Sequence, residues 1–139
     1  METLSTIETD FAEFVLLPSI IILRCHEGVK LGLDHVTAIQ GVIDRMRELE
    51  QTAIGWISDK VNSYSTDPLI VPPVQEANPN IRSWCNVIYG RKIADYKLLF
   101  KAVSKDNFGI NSFDTLPTAI KWTYEYLKSC RQESCDPAK

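Results

Sequence analysis

Two short apolar segments separated by an amphipathic one constrain the fold of this chain most. Residues 20–23 are a continuous aliphatic run, typical of a strand buried on both faces of a sheet. Residues 54–59 (IGWISD) begin in the same way and end in polar side chains. Between them, residues 34–51 repeat apolar side chains at steps of three and four, which predicts a helix. A strand, a helix and a second strand in this order predict two parallel strands joined by a right-handed crossover.

The same periodicities predict the remaining elements. Residues 3–16 are typical of a first strand or an irregular hairpin, and Pro18 and Ser19 predict the turn that follows. Pro72 and Pro73 predict that residues 68–77 form only one or two broken helical turns. The other predicted segments are strands at 83–89 and 108–113, and helices at 92–104 and from Asp114 or Thr115 to about 129.

This order, β-β-α-β-α-β-α-β-α, predicts a single α/β domain over residues 1–129 with a polar tail at 130–139. We expect a mixed, mostly parallel sheet of five strands. If every crossover steps in the same direction, its right-handedness places the helices mainly on one face. Such a sheet has no topological switch point, so we expect no cofactor crevice and no cofactor.

Composition excludes some classes of partner. The formal net charge of −3 provides no general attraction to nucleic acid or to anionic lipid, so we expect no nucleic-acid partner. The longest apolar run, residues 14–23, contains Pro18 and is too short to span a membrane. The sequence METLSTIETDF begins with acidic residues and has no basic region, so we expect no signal peptide and a cytoplasmic protein.

The four cysteines do not have the spacing of a metal site. Cys130 and Cys135 are further apart than the two cysteines of a zinc hook, and no histidine lies near them in the sequence. Cys25 and Cys85 fall in apolar strand-like segments, where a thiol behaves as a small hydrophobic group. We therefore predict structural cysteines and no metal.

Residues 62–67, which we call the polar loop, are the main candidate site. Asn62, Ser63, Tyr64, Ser65, Thr66 and Asp67 follow the predicted strand at 54–59 and precede Pro68, which suits the first turn of a helix. These residue types have three interpretations. They could cap that helix, form a phosphoacceptor or partner-binding surface, or bind an anion at the helix start. The polar groups outnumber those that one helix start can use. We therefore predict that Asp67 or Thr66 caps it and that Ser63 or Ser65 has an exposed hydroxyl.

Catalytic motifs are missing from the sequence. His26 and His35 do not neighbour the polar loop in the sequence, and no serine-hydrolase elbow, metalloprotease motif or phosphate-binding glycine loop occurs. Asp59, at the end of a predicted central strand, is interpreted as a polar anchor for the loop. We expect a protein that is not an enzyme.

Aromatic residues in the last helices suggest a second surface. Tyr96, Trp122 and Tyr126 could line an apolar cleft between these helices and the sheet, where a small or lipid-like molecule would bind. They could also form a self-association patch or serve ordinary core and rim packing. Trp56 is predicted to be buried beside the strand at 20–23.

The polar loop also resembles a known family. The run N-S-Y-S-T-D-P at 62–68 is similar to the N-S-Y-S-x-D-P motif of small bacterial STAS-like proteins, and FDTLPTAIKWTYEYL resembles their F-x-x-L-x-x-A-x-x-W ending. The STAS superfamily includes the anti-sigma-factor antagonists. These present a phosphorylatable serine after the third strand, where this chain has Ser63, Ser65 and Thr66 without a D-S-x-G pattern.

The resemblance implies a STAS-like domain that acts by binding other proteins. We therefore expect a regulatory or protein-interaction module whose partner is a regulatory protein or a second copy of the chain. The alternative is a small-molecule or lipid carrier or sensor. An apolar pocket above ~300 Å3 between the last helices and the sheet would favour that alternative.

Overall fold

The computed structural model of the chain describes residues 3–49, 53–62, 64–89 and 109–132. A mixed sheet of six strands lies at its centre, in the order β1-β2-β3-β5-β7-β8. These strands are β1 (Ser5–Glu8), β2 (Ala12–Leu17), β3 (Ile20–Cys25), β5 (Ile54–Asp59), β7 (Ile81–Val87) and β8 (Gly109–Phe113). Two short strands, β4 (Lys30–Leu31) and β6 (Ser65–Thr66), pair with each other. The helices are α1 (Val36–Glu48), α2 (Val71–Ala77) and α3 (Leu116–Gln132).

The main sheet confirms the predicted α/β class and its mostly parallel pairing. β3, β5, β7 and β8 are parallel neighbours, whereas β1 and β2 are antiparallel. The predicted count of five strands is wrong because residues 3–16 form two strands. Thr9 turns the chain between them by bonding its amide and its hydroxyl to the carbonyl of Ala12, at 2.9 and 3.0 Å. Chain order and strand order run in the same direction, so this sheet has no switch point.

Of the three described helices, α1 and α2 lie on one face of the main sheet, as predicted for most of the helices, and α3 lies on the other. α1 and α2 are crossovers and share one face, where Ile39 and Val74 join the core around Trp56. α3 follows the last strand and is not a crossover, so no handedness rule binds it to that face. It covers the opposite face, where Ala119 packs with Ile57. Gly55 permits this close approach, since a side chain on it would overlap the methyl group of Thr123.

Trp56 is buried at the centre of the sheet, as predicted. It is 0% exposed, pairs with Ile21 of β3, and stacks on Trp84 of β7 with ring centroids 5.2 Å apart. Phe14 meets the same indole edge-on at 6.3 Å. The aromatic layer therefore joins β2, β5 and β7 on the face that α1 and α2 cover.

Two helix starts differ in detail from the predictions. The helix predicted from residue 34 begins at Val36, because a 3-10 turn at Leu33–His35 precedes α1. The 3-10 turn Pro68–Ile70 leads directly into α2, which contains Pro72 and Pro73 in its first turn. Proline is tolerated there because the first amides of a helix have no partner within it.

Some predictions fall outside the described residues, among them the helix at 92–104 with Tyr96 and the loop residue Ser63. The described part of α3 continues to Gln132, past the predicted start of the tail at residue 130. No helix within the described ranges is both long and apolar enough to cross a membrane.

Candidate functional site

The polar loop begins at the carboxyl end of β5, the edge of a parallel sheet at which α/β proteins bind ligands and partners. Its second half is held in place by β4. The amide of Ser65 donates to the carbonyl of Val29 at 3.0 Å, and that of Asp67 donates to Leu31 at 2.8 Å. Sequence analysis missed this pairing because strands of two residues leave no periodic signal.

The hydroxyl and carboxylate groups of the polar loop divide as the sequence predicts. Asp67 caps the following 3-10 turn, its Oδ1 accepting from the amide of Leu69 at 2.9 Å. Ser65 is exposed, whereas Thr66 is partly buried and its Oγ1 lies 3.0 Å from Lys60 Nζ. The loop therefore presents a serine on a short strand that backbone hydrogen bonds fix.

Asn62 and Tyr64 have structural roles. The Asn62 side chain donates from Nδ2 to the carbonyl of Cys25 at 3.0 Å, which ties the loop to the end of β3. Tyr64 is 8% exposed, and its hydroxyl donates at 3.5 Å to the carbonyl of Asp59. Lys60 Nζ lies 4.1 Å from the centroid of the Tyr64 ring, a cation–π contact.

Burial changes the acid–base behaviour of two groups beside the loop. It lowers the pKa of Lys60 to about 8 and raises that of the Cys25 thiol to about 12. Cys25 and Cys85 are 0% exposed and lie in the two halves of the core, in agreement with the structural role predicted for them.

Asp59 anchors a chain of polar side chains on the other face of the same sheet edge. Arg24 Nε donates to Asp59 Oδ2 at 2.7 Å, and Arg24 Nη1 donates to Glu13 Oε1 at 3.3 Å. The Tyr89 hydroxyl donates to Asp59 Oδ1 at 2.8 Å. Burial opposes the charge of Arg24, but the carboxylates of Asp59 and Glu13 outweigh it and raise the Arg24 pKa. Burial and the Asp59 carboxylate together raise the pKa of Tyr89 to about 12.

Some apolar side chains that follow the strands are exposed. Among the described residues, five large hydrophobic side chains are exposed. Four of them follow a strand at its carboxyl end, and we call these four the apolar rim: Leu33 (60% exposed), Val61 (57%), Leu69 (59%) and Tyr89 (43%). The fifth, Leu4, precedes β1. Sequence analysis did not identify the apolar rim, because the exposure of a single leucine depends on tertiary packing.

Two of the three residues predicted to line an aromatic cleft, Trp122 and Tyr126, are described, and they contact each other. Trp122 and Tyr126 stack with centroids 5.1 Å apart, and Trp122 also contacts Phe113 of β8 at 5.9 Å. The Tyr126 ring lies over Gly109, where a Cβ atom would come within 2.6 Å of it. These contacts are core and rim packing against β8.

An open apolar groove of about 470 Å3 lies on the opposite flank of α3. Its lining comprises Pro117, Ile120, Lys121, Tyr124 and Glu125. The Tyr124 hydroxyl donates to the carbonyl of Pro18 at 2.6 Å, so the groove runs beside the turn between β2 and β3.

The histidines have partners away from the polar loop. His26 Nε2 lies 4.0 Å from Glu8 Oε2, and His35 Nδ1 accepts from the amide of Gly32 at 3.0 Å. Within the parts of the chain that the structure covers, no three histidine, cysteine or carboxylate side chains are grouped so that they could hold a metal ion. Comparison of the chain with protein-family models, with curated proteins and with solved structures finds no match in any of the three.

Proposed function

We propose that this chain is a non-enzymatic regulatory or protein-interaction module that resembles STAS-like domains and uses the polar loop as its interaction or phosphoacceptor surface. The observation that carries the proposal is the combination of an exposed, backbone-fixed serine with the exposed side chain of Leu69, four residues further along the chain.

Fixation of the loop favours binding. β6 is held by two backbone hydrogen bonds, Asn62 is tied to β3, and Asp67 caps the next turn. A surface that is already ordered loses less conformational entropy when a partner binds than a flexible loop does. Leu69, two residues beyond Asp67 and 59% exposed, supplies apolar area next to the serine.

Ser65 is the phosphoacceptor that the geometry favours among the described loop residues. It is exposed, whereas the hydroxyl of Thr66 is engaged by Lys60. A phosphate on Ser65 would add about two negative charges to the segment that also bears the exposed Leu69, and so change the affinity of this surface for a partner.

Site-specific photo-crosslinking tests the proposal. A benzophenone amino acid replaces Leu69 in one variant and the exposed Lys128 on α3 in a matched control, and each is irradiated in extract of the native cell. We expect discrete crosslinked species from position 69 and none from position 128, and we expect the Ser65→Asp change to alter their yield. Equal crosslinking at both positions would refute the assignment of this edge. Sedimentation of the purified chain shows whether the partner is a second copy.

A second candidate function, a carrier or sensor of small apolar molecules, is favoured by the groove beside α3. Its volume of about 470 Å3 falls in the range of ligand sites, although its five lining residues all lie on α3 and the groove is open to solvent. A fluorescent fatty acid is the probe, and Ile120→Lys is the variant that places a charge in the groove. Saturable binding that this variant abolishes would support a carrier, and no binding by the wild-type chain would exclude it for this class of ligand.

A further inference from the structure

Three polar side chains form one row across the main sheet. Ser58 of β5, Asn86 of β7 and Ser112 of β8 are direct neighbours in the parallel register. Each is the penultimate residue of its strand, so it is the last side chain that the strand places on that face. Because side chains alternate along a strand, the row shares the face of Trp56 and Trp84, on which α1 and α2 pack. It lies at the carboxyl edge of the sheet, where parallel sheets bind ligands.

The polar atoms of this row are buried and unpartnered. Ser58 and Asn86 are 0% exposed, and Ser112 is 7% exposed. Both serine hydroxyls, and Oδ1 and Nδ2 of Asn86, have no hydrogen-bond partner in the described parts of the chain. A buried polar group that forms no hydrogen bond destabilises the fold, whereas an apolar side chain in its place does not have this cost. Four such atoms in one row therefore point to partners that a bound molecule supplies.

We propose that Ser58, Asn86 and Ser112 form a binding site for a small uncharged molecule that carries an amide group. The Asn86 side chain presents an acceptor beside a donor, and an amide matches this pair with its own N–H and C=O groups. Each serine hydroxyl can donate or accept, so it can bind a remaining lone pair or N–H group of the ligand. The row is separate from the polar loop and faces away from α3, so this inference goes beyond the proposed function and does not rest on it.

The charges around Ser58 favour a neutral ligand. The row itself has no charged side chain, and an ion buried there would lose its hydration without a counter-charge in the row. The two charged residues that follow Ser58 have partners elsewhere. Asp59 binds Arg24 on the opposite face, and Lys60 contacts Thr66 of the polar loop.

Burial determines how strongly such a molecule binds. The polar atoms have almost no contact with solvent, so the sheet edge must open locally before a ligand reaches them. The apparent affinity is then lower than the intrinsic affinity by the fraction of molecules that are open. We therefore expect small amides to bind weakly but saturably.

The first test measures binding to the purified chain. Acetamide is titrated into the isotope-labelled protein while the side-chain amide signals of Asn86 are followed by NMR. Acetate, which has the same shape but carries a charge, is the comparison. We expect saturable shifts of these signals with acetamide and none with acetate. Shifts that do not saturate, or equal shifts with acetate, would overturn the proposal.

Two serine variants assign the binding to this row. In Ser58→Ala we expect the dissociation constant of acetamide to rise about fivefold or more, because one hydrogen bond to the ligand is lost. Ser83→Ala is the matched control, since the Ser83 hydroxyl is also buried and unpartnered but lies beside Gly55 and Thr123 on the opposite face. We expect no change in this control. Equal dissociation constants in the two variants would overturn the assignment.

The second test measures the stability of the same variants by urea denaturation. A hydroxyl without a partner in the protein opposes folding, so we expect Ser58→Ala to raise the equilibrium constant of folding by about fivefold, as Ser83→Ala should. A loss of stability in Ser58→Ala beside a gain in Ser83→Ala would show that the Ser58 hydroxyl is bonded within the protein, and would overturn the proposal. Neither test uses a protein partner, so its outcome is independent of the crosslinking experiment.

Discussion

The side chain of Arg24 reaches across the sheet to Asp59 and donates a 2.7 Å hydrogen bond to a carboxylate that is 3% exposed. Because β3 and β5 are parallel neighbours, this ion pair joins their carboxyl ends. Tyr89 completes the carboxylate's partners at 2.8 Å from the segment after β7. The sheet edge that bears the polar loop is thus held by charge on one face and by the contacts of Lys60 and Tyr64 on the other.

Removal of the Asp59 charge should destabilise the fold. We expect Asp59→Asn to lower the free energy of unfolding by about 2–4 kcal/mol, since Arg24 would remain partly buried with Glu13 as its remaining carboxylate partner. This loss of stability lies toward the low end of the range for breaking a buried ion pair, because the Arg24 side chain is 30% exposed. Urea denaturation measures the change, with Asp114→Asn at an exposed position as the control. A loss equal to that of the control would show that the pair does not stabilise the sheet.

Truncation of Trp56 should create a large cavity. The side chain is 0% exposed and packs between Phe14 and Trp84, so we expect Trp56→Ala to cost ~3–5 kcal/mol in the free energy of unfolding. Trp122→Ala is the comparison, and it should cost less because Trp122 is partly exposed. A cost below about 1 kcal/mol for Trp56→Ala would contradict its place in the core.

Gly55 and Thr123 should show coupled effects. A methyl group on Gly55 would overlap the Thr123 methyl, so we expect Gly55→Ala to destabilise the fold by about 1–3 kcal/mol through overpacking. Thr123→Ser removes the methyl and keeps the hydroxyl that donates to the Ala119 carbonyl at 2.8 Å. In a double-mutant cycle, the second change should recover part of the loss. Additive effects of the two changes would show that α3 does not approach β5 at this point.

Lys60 should make stability depend on pH in a defined direction. Its pKa falls from 10.5 to about 8 on folding, so its charge opposes folding below pH 8. This opposition is relieved as the pH rises through about 8 and has vanished above about 10.5. Near pH 7, we expect Lys60→Met to have a free energy of unfolding higher than that of the wild type by on the order of 1 kcal/mol. This difference should shrink by about pH 10.

Denaturation of both proteins across this range tests the expectation. Taking the difference between them matters because Cys25 acts in the opposite sense. Its pKa rises from 9.0 to about 12, so the stability it contributes is complete below pH 9 and is lost toward pH 12. A difference between variant and wild type that does not vary with pH would rule out titration of Lys60 in this window.

Replacement of Ser65 should separate stability from binding. Because the residue is exposed, we expect Ser65→Asp to change the free energy of unfolding by no more than ~0.5 kcal/mol. Its effect should appear in the yield of crosslinking from position 69. A larger loss of stability, measured by thermal or urea denaturation, would mean that the Ser65 hydroxyl is part of the internal structure of the loop.

Local patterns in the sequence determined a large part of this structure. The aliphatic run of β3 reflects burial on both faces of the sheet, and the three- and four-residue spacing of apolar side chains in α1 reflects burial on one face. Each pattern therefore predicts its element without knowledge of the neighbouring elements. The capping by Asp67 is equally local, because the carboxylate and the amide it accepts from are two residues apart.

Only the tertiary structure decided the remaining features. β4 and β6 pair across 35 positions, and two residues per strand are too few to show a period. Arg24 and Asp59 are also 35 residues apart, and only the parallel register of β3 and β5 brings them together. The face that α3 covers depends on the sheet surface left open by the crossovers and on Gly55, whose missing side chain makes room for Thr123. Exposure of Leu33 and Leu69 follows from how these elements pack, since an isolated leucine in a sequence looks the same whether buried or exposed.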